Sequence, residues 1–310
     1  MGRYIVKRVV QGVVTMWLVT LGVFGLMRMI GDPLSFLIPS DATKEDREYL
    51  MGVYGLDDPL WKQYLLFNKN IFAGRFGESL RWDSRDALDV FMSRLPATLQ
   101  LTCTAMVFSI VLGVVLGVIS ATHPDSIFDR VGKAMAILGQ SMPVFWVGIL
   151  LILLFTVYLG WLPSAGGIDR LGLKGLILPA ATLGWLFVAA HLRIVRSSML
   201  DALDSDYIKM VRAKGMPRRI VIWKHALKNA SIPIFTLFAV NFAQLISGAV
   251  VTETIFAWPG VGRLLVDSIF VRDYTVAQVV VFFSAAFIVA INILVDVVYA
   301  WLDPRIRVMG

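Results

Sequence analysis

Six long apolar stretches alternate with polar connectors along the chain, at roughly 9–30, 97–121, 134–159, 176–192, 232–251 and 275–301. A helix needs about 20 apolar residues to cross the hydrocarbon core of a bilayer. Each stretch therefore predicts a transmembrane helix, the fourth being the shortest. The first follows Arg3, Lys7 and Arg8, as a secretory signal's apolar part follows its basic head. Its apolar part is too long and no small-x-small site follows, which predicts a retained anchor. Between the first two stretches lie about 65 residues, too many for a plain connector. In SDATKEDREYLMGVYGL, Asp41 stands as an N-cap before an acidic first turn and Gly55 as a stop. A small, mostly helical subdomain is predicted there, with turn signals in GRFG at 74–77 and at Pro96. The expected organisation is a head and first helix over 1–31, an outer subdomain over 32–96, and a five-helix core over 97–310.

Composition agrees with a membrane protein. Of the 310 residues 57% are hydrophobic and only 16% charged, against about 25% charged in soluble domains, and the mean hydropathy is +0.73. The formal net charge of +7 could suit nucleic acid, but nucleic-acid binding does not require apolar runs. The surplus reads instead as topology. Residues 193–228 hold nine Lys and Arg against three acids, and the head and the tail DPRIRVMG are basic too. With six spans these segments fall on one side, which the positive-inside rule assigns to the cytoplasm together with both termini. Residues 31–96, with eleven acids and eight bases, then lie outside. The single cysteine, Cys103, permits no intrachain disulfide and is expected to be a buried small hydrophobe. His123, His191 and His225 are too scattered for a metal cluster.

The most informative connector is DYIKMVRAKGMPRRIVIWKHALKNASIPI at 206–234. Its pattern predicts two short helices around a bend. Asp206 can cap the first, Gly215 can take positive φ at C′, and Pro217 suits the start of the second. Ile220, Trp223, Ala226 and Leu227 share one stripe, with basic residues over much of the rest. Such an element could lie flat on anionic lipid. The break at Gly-Met-Pro favours a knob that fits a partner's groove.

That run resembles the coupling loop of permease subunits in ABC importers, nearest to the dipeptide, oligopeptide and nickel branch. RLPATLQLT, MPVFWVGILLILLF with LGWLPSAG, TETIFAWPGVGRLLVDSIFVRDY and LVDVVYAWLDPRIR resemble that branch in the same order, from RMIGDP near Arg28 to the end. The broader importer motif opens Glu-Ala-Ala, where this chain has Lys209, Met210 and Val211. That departure narrows the branch and puts in doubt an ion pair from an acidic first residue. The resemblance implies an all-α protein of six transmembrane helices with the type I ABC importer permease fold. It further implies a transport subunit for short peptides or related solutes, not an enzyme. The partners implied are a second, related permease subunit, two cytoplasmic ATPase subunits and an extracytoplasmic solute-binding protein. No phosphate-loop motif occurs: the only Gly-Lys, at Gly132 and Lys133, is followed by Ala134. ATP and magnesium are thus expected on the ATPases, and no cofactor in this chain. Coupling within the loop 199–230 is assigned to Arg212, Ala213, Lys214, Gly215, Met216, Pro217 and Arg218.

Polar groups inside spans are costly unless they face protein or water. Asn241 and Gln244 share a face of the fifth span, where they line the translocation path or bond neighbouring helices. Trp258, Pro259 and Gly260 form a loop suited to docking the binding protein, though interface anchoring accounts equally well for Trp258. His191 and Arg193 read as a positive-inside anchor. Gly113 and Gly117 in VLGVVLGV read as close helix packing. The alternative class is an ion-coupled carrier acting without an ATPase; it predicts internal repeats and interrupted helices, which the chain does not display.

Overall fold

A computed structural model describes residues 2–30, 57–79, 81–82 and 85–302. Among these every regular element is a helix, and the extended backbone pairs only at an isolated bridge between Glu78 and Asp86. The expected Asp41 cap and Gly55 stop lie outside the described residues. The chain divides into two compact units, one of Met1–Leu95, Leu264–Val297 and Met309–Gly310, the other of Pro96–Arg263 and Val298–Val308. The last long helix thus falls chiefly in the unit that holds the first.

In the first unit, α1 (Gly2–Ile30) carries α2 (Leu60–Phe72) on one flank. The Thr20 hydroxyl lies 2.8 Å from the Tyr64 hydroxyl, and Phe24 meets the Tyr64 ring edge-on at 5.4 Å. Gly12 lets α1 approach the last helix, α12 (Tyr274–Leu302), since a Cβ there would stand 3.0 Å from Val289 and Ile293. Asp273 caps α12, accepting from Val276 N at 3.2 Å, and also accepts from the Ser79 hydroxyl at 2.6 Å. Phe76 and Phe91 pack on Phe283 at 5.1 and 5.3 Å. These contacts strap the segment leading into the next helix to the head of α12.

The second and third spans differ from expectation. Helix α3 (Ala87–Thr122) is 36 residues long. It starts where Asp86 accepts from Leu88 N at 2.7 Å, so Pro96 lies inside the helix and marks no turn. A proline is tolerated within a membrane helix because neighbouring groups re-satisfy the freed carbonyl. The stretch expected as one span at 134–159 is two helices, α4 (Ile127–Ser141) and α5 (Val144–Leu151), the latter continuing as a π-helix over Ile152–Tyr158. They meet at 111°. Pro143 explains the break: its ring forces Met142 out of the helical region, to φ −88 and ψ 128.

A short α6 (Ile168–Leu171) leads into α7 (Lys174–Asp204), the hub of the second unit. Leu176, Leu183, Val195 and Met199 of α7 share a buried cluster with Leu101 and Val118 of α3 and with Leu245 and Ala249 of α10 (Leu227–Ile255). Glycines set the spacing, as expected for Gly113 and Gly117. A Cβ on Gly117 would stand 2.7 Å from Val195 Cβ, and one on Gly184 2.7 Å from the Ala105 carbonyl oxygen. By length and composition α1, α3, α7 and α12 can each cross a bilayer, and the bent α4–α5 pair makes a fifth. The remaining expected span lies within α10, whose described apolar portion is Pro233–Phe242. The architecture is all-α and multi-pass, with a count of six spans not established.

Candidate functional site

The loop between α7 and α10 folds as the basic, bent pattern requires. Helix α7 ends at Asp204, and a single residue, Ser205, joins it to α8 (Asp206–Ala213). Ser205 is the cap of α8, accepting from Ile208 N at 3.4 Å; the cap expected at Asp206 thus sits one residue earlier. Gly215 takes φ +74, and its N–H bonds the Arg212 carbonyl at 3.0 Å. Pro217 precedes α9 (Arg218–Ile220), which runs without a break through a π-helix over Val221–Ala226 into α10. The knob is therefore welded to a long helix on its far side and joined through one residue on its near side.

Burial divides the loop into an anchored and an offered face. Ile208, Val211, Val221 and Ala226 are buried, whereas Tyr207, Met210, Met216, Ile220 and Trp223 are exposed. The stripe expected from α-helical spacing put Ile220 and Trp223 with Ala226. The π-helix changes that register, so Val221 and Ala226, five apart, turn inward together. Tyr207 and His225 tie the two arms, hydroxyl to Nδ1, at 2.7 Å. Arg212, Lys214 and Arg219 make no ion pair among the described residues, and Arg218 donates to the Thr122 carbonyl at 3.1 Å. A cavity of about 620 Å³ opens behind the knob, between Thr122, Leu200, Arg212, Met216 and Val221. An apolar tip ringed by unpaired cations suits a groove with an acidic rim.

Sequence reasoning missed a charged cluster beside this loop. Asp129, fully buried, accepts from Arg196 Nε at 2.7 Å and Nη2 at 3.0 Å, and lies 2.8 Å from Lys133 Nζ. The Ser120 hydroxyl and Asp125 N complete its shell. Asp129 stands in the first turn of α4, within the polar stretch 122–133. The two-point bond to the Arg196 guanidinium, with Lys133 and Ser120 assisting, offsets the cost of burying the carboxylate. The signal in the sequence was two acids in a short connector that showed no net charge bias.

His191, expected as an interface anchor, is instead buried in α7, where its Nε2 lies 3.1 Å from Asn241 Nδ2. Asn241 thus makes a bond between helices, while Gln244 is exposed one turn on. Cys103, expected buried, is exposed, on a stripe of α3 shared with Val107 and Val111.

Trp258 is fully buried and donates from Nε1 to the Ala97 carbonyl at 2.8 Å. Its ring is a bolt within the fold and offers a partner no surface; Pro259 is half-buried and Gly260 buried. The loop leads into α11 (Val261–Phe270) and is held by Glu253, also fully buried, which accepts from the Thr98 hydroxyl at 2.6 Å and from Arg263 N at 3.0 Å. A Cβ on Gly260 would collide with that carboxylate.

With the loop, its anchors and its exposed tip in view, comparison with known proteins is decisive. Family models described as the binding-protein-dependent transport system inner membrane component and its N-terminal part match residues 113–308 and 1–102. The chain belongs to this family. It is 37% identical to the oligopeptide transport system permease protein AppB of Bacillus subtilis, over 99% of this chain and 100% of that one. It is 37% identical to the di/tripeptide transport system permease protein DppB of Pseudomonas aeruginosa, over 98% of each. It is 39% identical to the glutathione transport system permease protein GsiC of Escherichia coli K12, over 98% of this chain and 99% of that one. Among solved structures, the methionine ABC transporter MetNI in an inward-facing form aligns with a TM-score of 0.57 at 18% identity, covering 70% of this chain and 97% of its own. An amino acid ABC transporter crystallised with histidines aligns at 0.54 and 15% identity, covering 68% and 94%. The fold is that of a type I importer permease. The chain is a multi-pass inner-membrane transport subunit, and its family implies work with an ATPase and a binding protein. The ion-coupled alternative finds no support among these relatives.

Proposed function

We propose that the chain is one permease subunit of an ATP-driven importer for short peptides or related small solutes, and that it receives force through residues 206–230. The substrate class rests on relatives named for oligopeptide, di/tripeptide and glutathione transport. The observation that carries the coupling role is the exposed knob at Gly215, continuous with α10 on one side and one residue from α7 on the other. Arg212, Ala213, Lys214, Met216, Pro217 and Arg218 shape it. Met216 supplies an adaptable apolar contact, and the free cations meet acids on the ATPase. ATP and magnesium bind on two such ATPase subunits. A second, related permease completes the path, since this chain supplies one half. Gln244 faces the path and Asn241 stands behind it, bonded to α7. The binding protein docks outside, on the segment 31–96 and on Pro259, with Trp258 and Gly260 fixing that loop from beneath. The excess of Lys and Arg over 193–228 supports cytoplasmic termini and a cytoplasmic knob.

The test is Gly215→Glu in the assembled transporter. Nothing stands within 4 Å of a Cβ at Gly215, though its φ of +74 strains any side chain there by about 1–2 kcal/mol. Membrane insertion should survive that cost while ATP-driven uptake is abolished. Gly215→Ala, which carries the same strain without the bulk or charge, should keep uptake. Normal uptake by a well-expressed Gly215→Glu variant rules out the coupling role.

A further inference from the structure

Resting on that reading, we infer that Asp129 and the Thr122 carbonyl close the coupling loop into a ring, so that it moves as one body with α3, α4 and α7 and does not hinge at Ser205. Asp129, Arg196 and Arg218 are positioning residues in this account.

Arg218 is continuous with α10, but on the α7 side the covalent path alone would be loose. From Arg196 it runs down α7, through Ser205 in extended conformation at ψ 148, along α8 and around Gly215 at φ +74 to Arg218. Each of those joints is a place where φ and ψ can change at little cost. Packing does not fix the tip either. Ile208 and Val211 seat α8, but the space behind Arg212 and Met216 is the cavity of about 620 Å³. Two polar links cross back to the body. Arg218 Nη2 donates to the Thr122 carbonyl at 3.1 Å. Two residues earlier in α3, Ser120 donates to Asp129, which holds Arg196 through Nε and Nη2 at 2.7 and 3.0 Å. The circuit Arg196, Arg218, Thr122, Ser120, Asp129 and back to Arg196 is closed. A return strut removes the swing that two joints in series would allow. The two-point fork also fixes orientation, which a single contact cannot. Asp129 reaches α3, α4 and α7 at once, because Lys133 of α4 pairs with the same carboxylate at 2.8 Å. A push on the knob is then delivered to three helices besides α10.

The experiment uses the complete transporter, with its ATPase, partner permease and binding protein, in proteoliposomes. Dialanine, trialanine and glutathione are the radiolabelled probes, and solute moved per ATP hydrolysed is the readout. Asp129→Asn and Arg218→Met open the ring at different links. Each should lower the ratio about fivefold or more; in Asp129→Asn, which lies outside the knob, ATP hydrolysis and recovery of the complex stay within about twofold of wild type. Opening a ring twice does no more than opening it once, so the double variant should match the poorer single one. Losses that multiply would show that Arg218 acts on the ATPase and Asp129 elsewhere, and would overturn the ring. So would an unchanged ratio in either single variant, or uptake and hydrolysis falling together. Should Asp129→Asn not reach the membrane, Arg196→Lys replaces it in the same cycle, because lysine keeps the charge but cannot form the fork. A wild-type complex that assembles with no ATPase and takes up none of the probes would defeat the importer reading itself, a result distinct from either outcome of the cycle.

Discussion

Adding one methyl group at Gly117 should destabilise the second unit, although the same change at Gly22 should not. The reason is geometric. A Cβ on Gly117 would stand 2.7 Å from Val195 Cβ, 2.8 Å from its Cγ1 and 2.9 Å from the Leu192 carbonyl oxygen. Ordinary contact begins at 3.4 Å, so α3 and α7 must part by at least 0.7 Å at that point. The carbonyl belongs to the backbone of α7 and cannot step aside as a side chain could. Overpacking of this kind costs about 1–3 kcal/mol, from which about 1 kcal/mol of helix propensity in favour of alanine is to be subtracted. The damage also spreads. Ser120 follows Gly117 by one turn, and Arg196 Nε reaches its hydroxyl at 3.1 Å. An opening of the same size takes that contact to roughly 3.8 Å, beyond a hydrogen bond. Gly117→Ala should therefore lose up to about 2 kcal/mol net from packing alone, and more as the Asp129 cluster loosens with it. At Gly22 nothing lies within 4 Å of a Cβ, so only the propensity gain of up to about 1 kcal/mol applies. Thermal unfolding of the detergent-solubilised chain, followed by loss of the monodisperse peak, reads both. At about 2–4 °C per kcal/mol, the two variants should move in opposite directions. A Gly117→Ala midpoint at or above wild type would refute the close approach of α3 and α7.

Trp258→Phe should cost about 1–2 kcal/mol, for the lost bond to the Ala97 carbonyl and the space left by the smaller ring, without changing the affinity of the binding protein. A weakened binding-protein affinity in that variant would mean that the ring faces outward. Asp129→Asn removes the anion that Arg196 and Lys133 share and should cost about 1.5–3 kcal/mol. Chemical unfolding of the two proteins at pH 7 reads that cost; a variant as stable as wild type would contradict the ion pair.

The hydropathy pattern located the long helices but said little about which way they face, and α3 shows why. Outside a membrane the buried side of a helix is its apolar side. In α3 the exposed stripe is Cys103, Val107 and Val111, while Thr98, Thr102, Ser109 and Ser120 are buried. Lipid is as apolar as a protein core, so hydrophobicity does not separate inside from outside, and polar or small residues mark the interior instead. Cys103 and His191 were misjudged for that one reason. The bend in the coupling loop was legible because Gly215 and Pro217 act locally on φ and on the backbone donor. The π-turn at Val221–Ala226 was not, because no residue type announces it, and it alone moved Ile220 and Trp223 to the surface. The partner of Asp129, 67 residues away at Arg196, lies beyond any local pattern.

The polar interior of the second unit also bears on how motion could travel through it. Thr98 of α3 holds Glu253 of α10, His191 of α7 meets Asn241 of α10, and Asp129 at the head of α4 holds Arg196 of α7 and Ser120 of α3. Each pair among α3, α7 and α10 is thus joined by at least one polar bond, with Gly113, Gly117 and Gly184 bringing α3 and α7 to backbone distance. Three members joined pairwise make a triangle, and a triangle cannot shear without breaking a side. In water such bonds would add little beyond the apolar packing. In lipid, where apolar contact barely distinguishes a neighbouring helix from an acyl chain, they decide which helices travel together. A force arriving at Gly215 then finds a frame that tilts as a whole, which is what a lever needs and what a bundle of independently sliding helices could not provide.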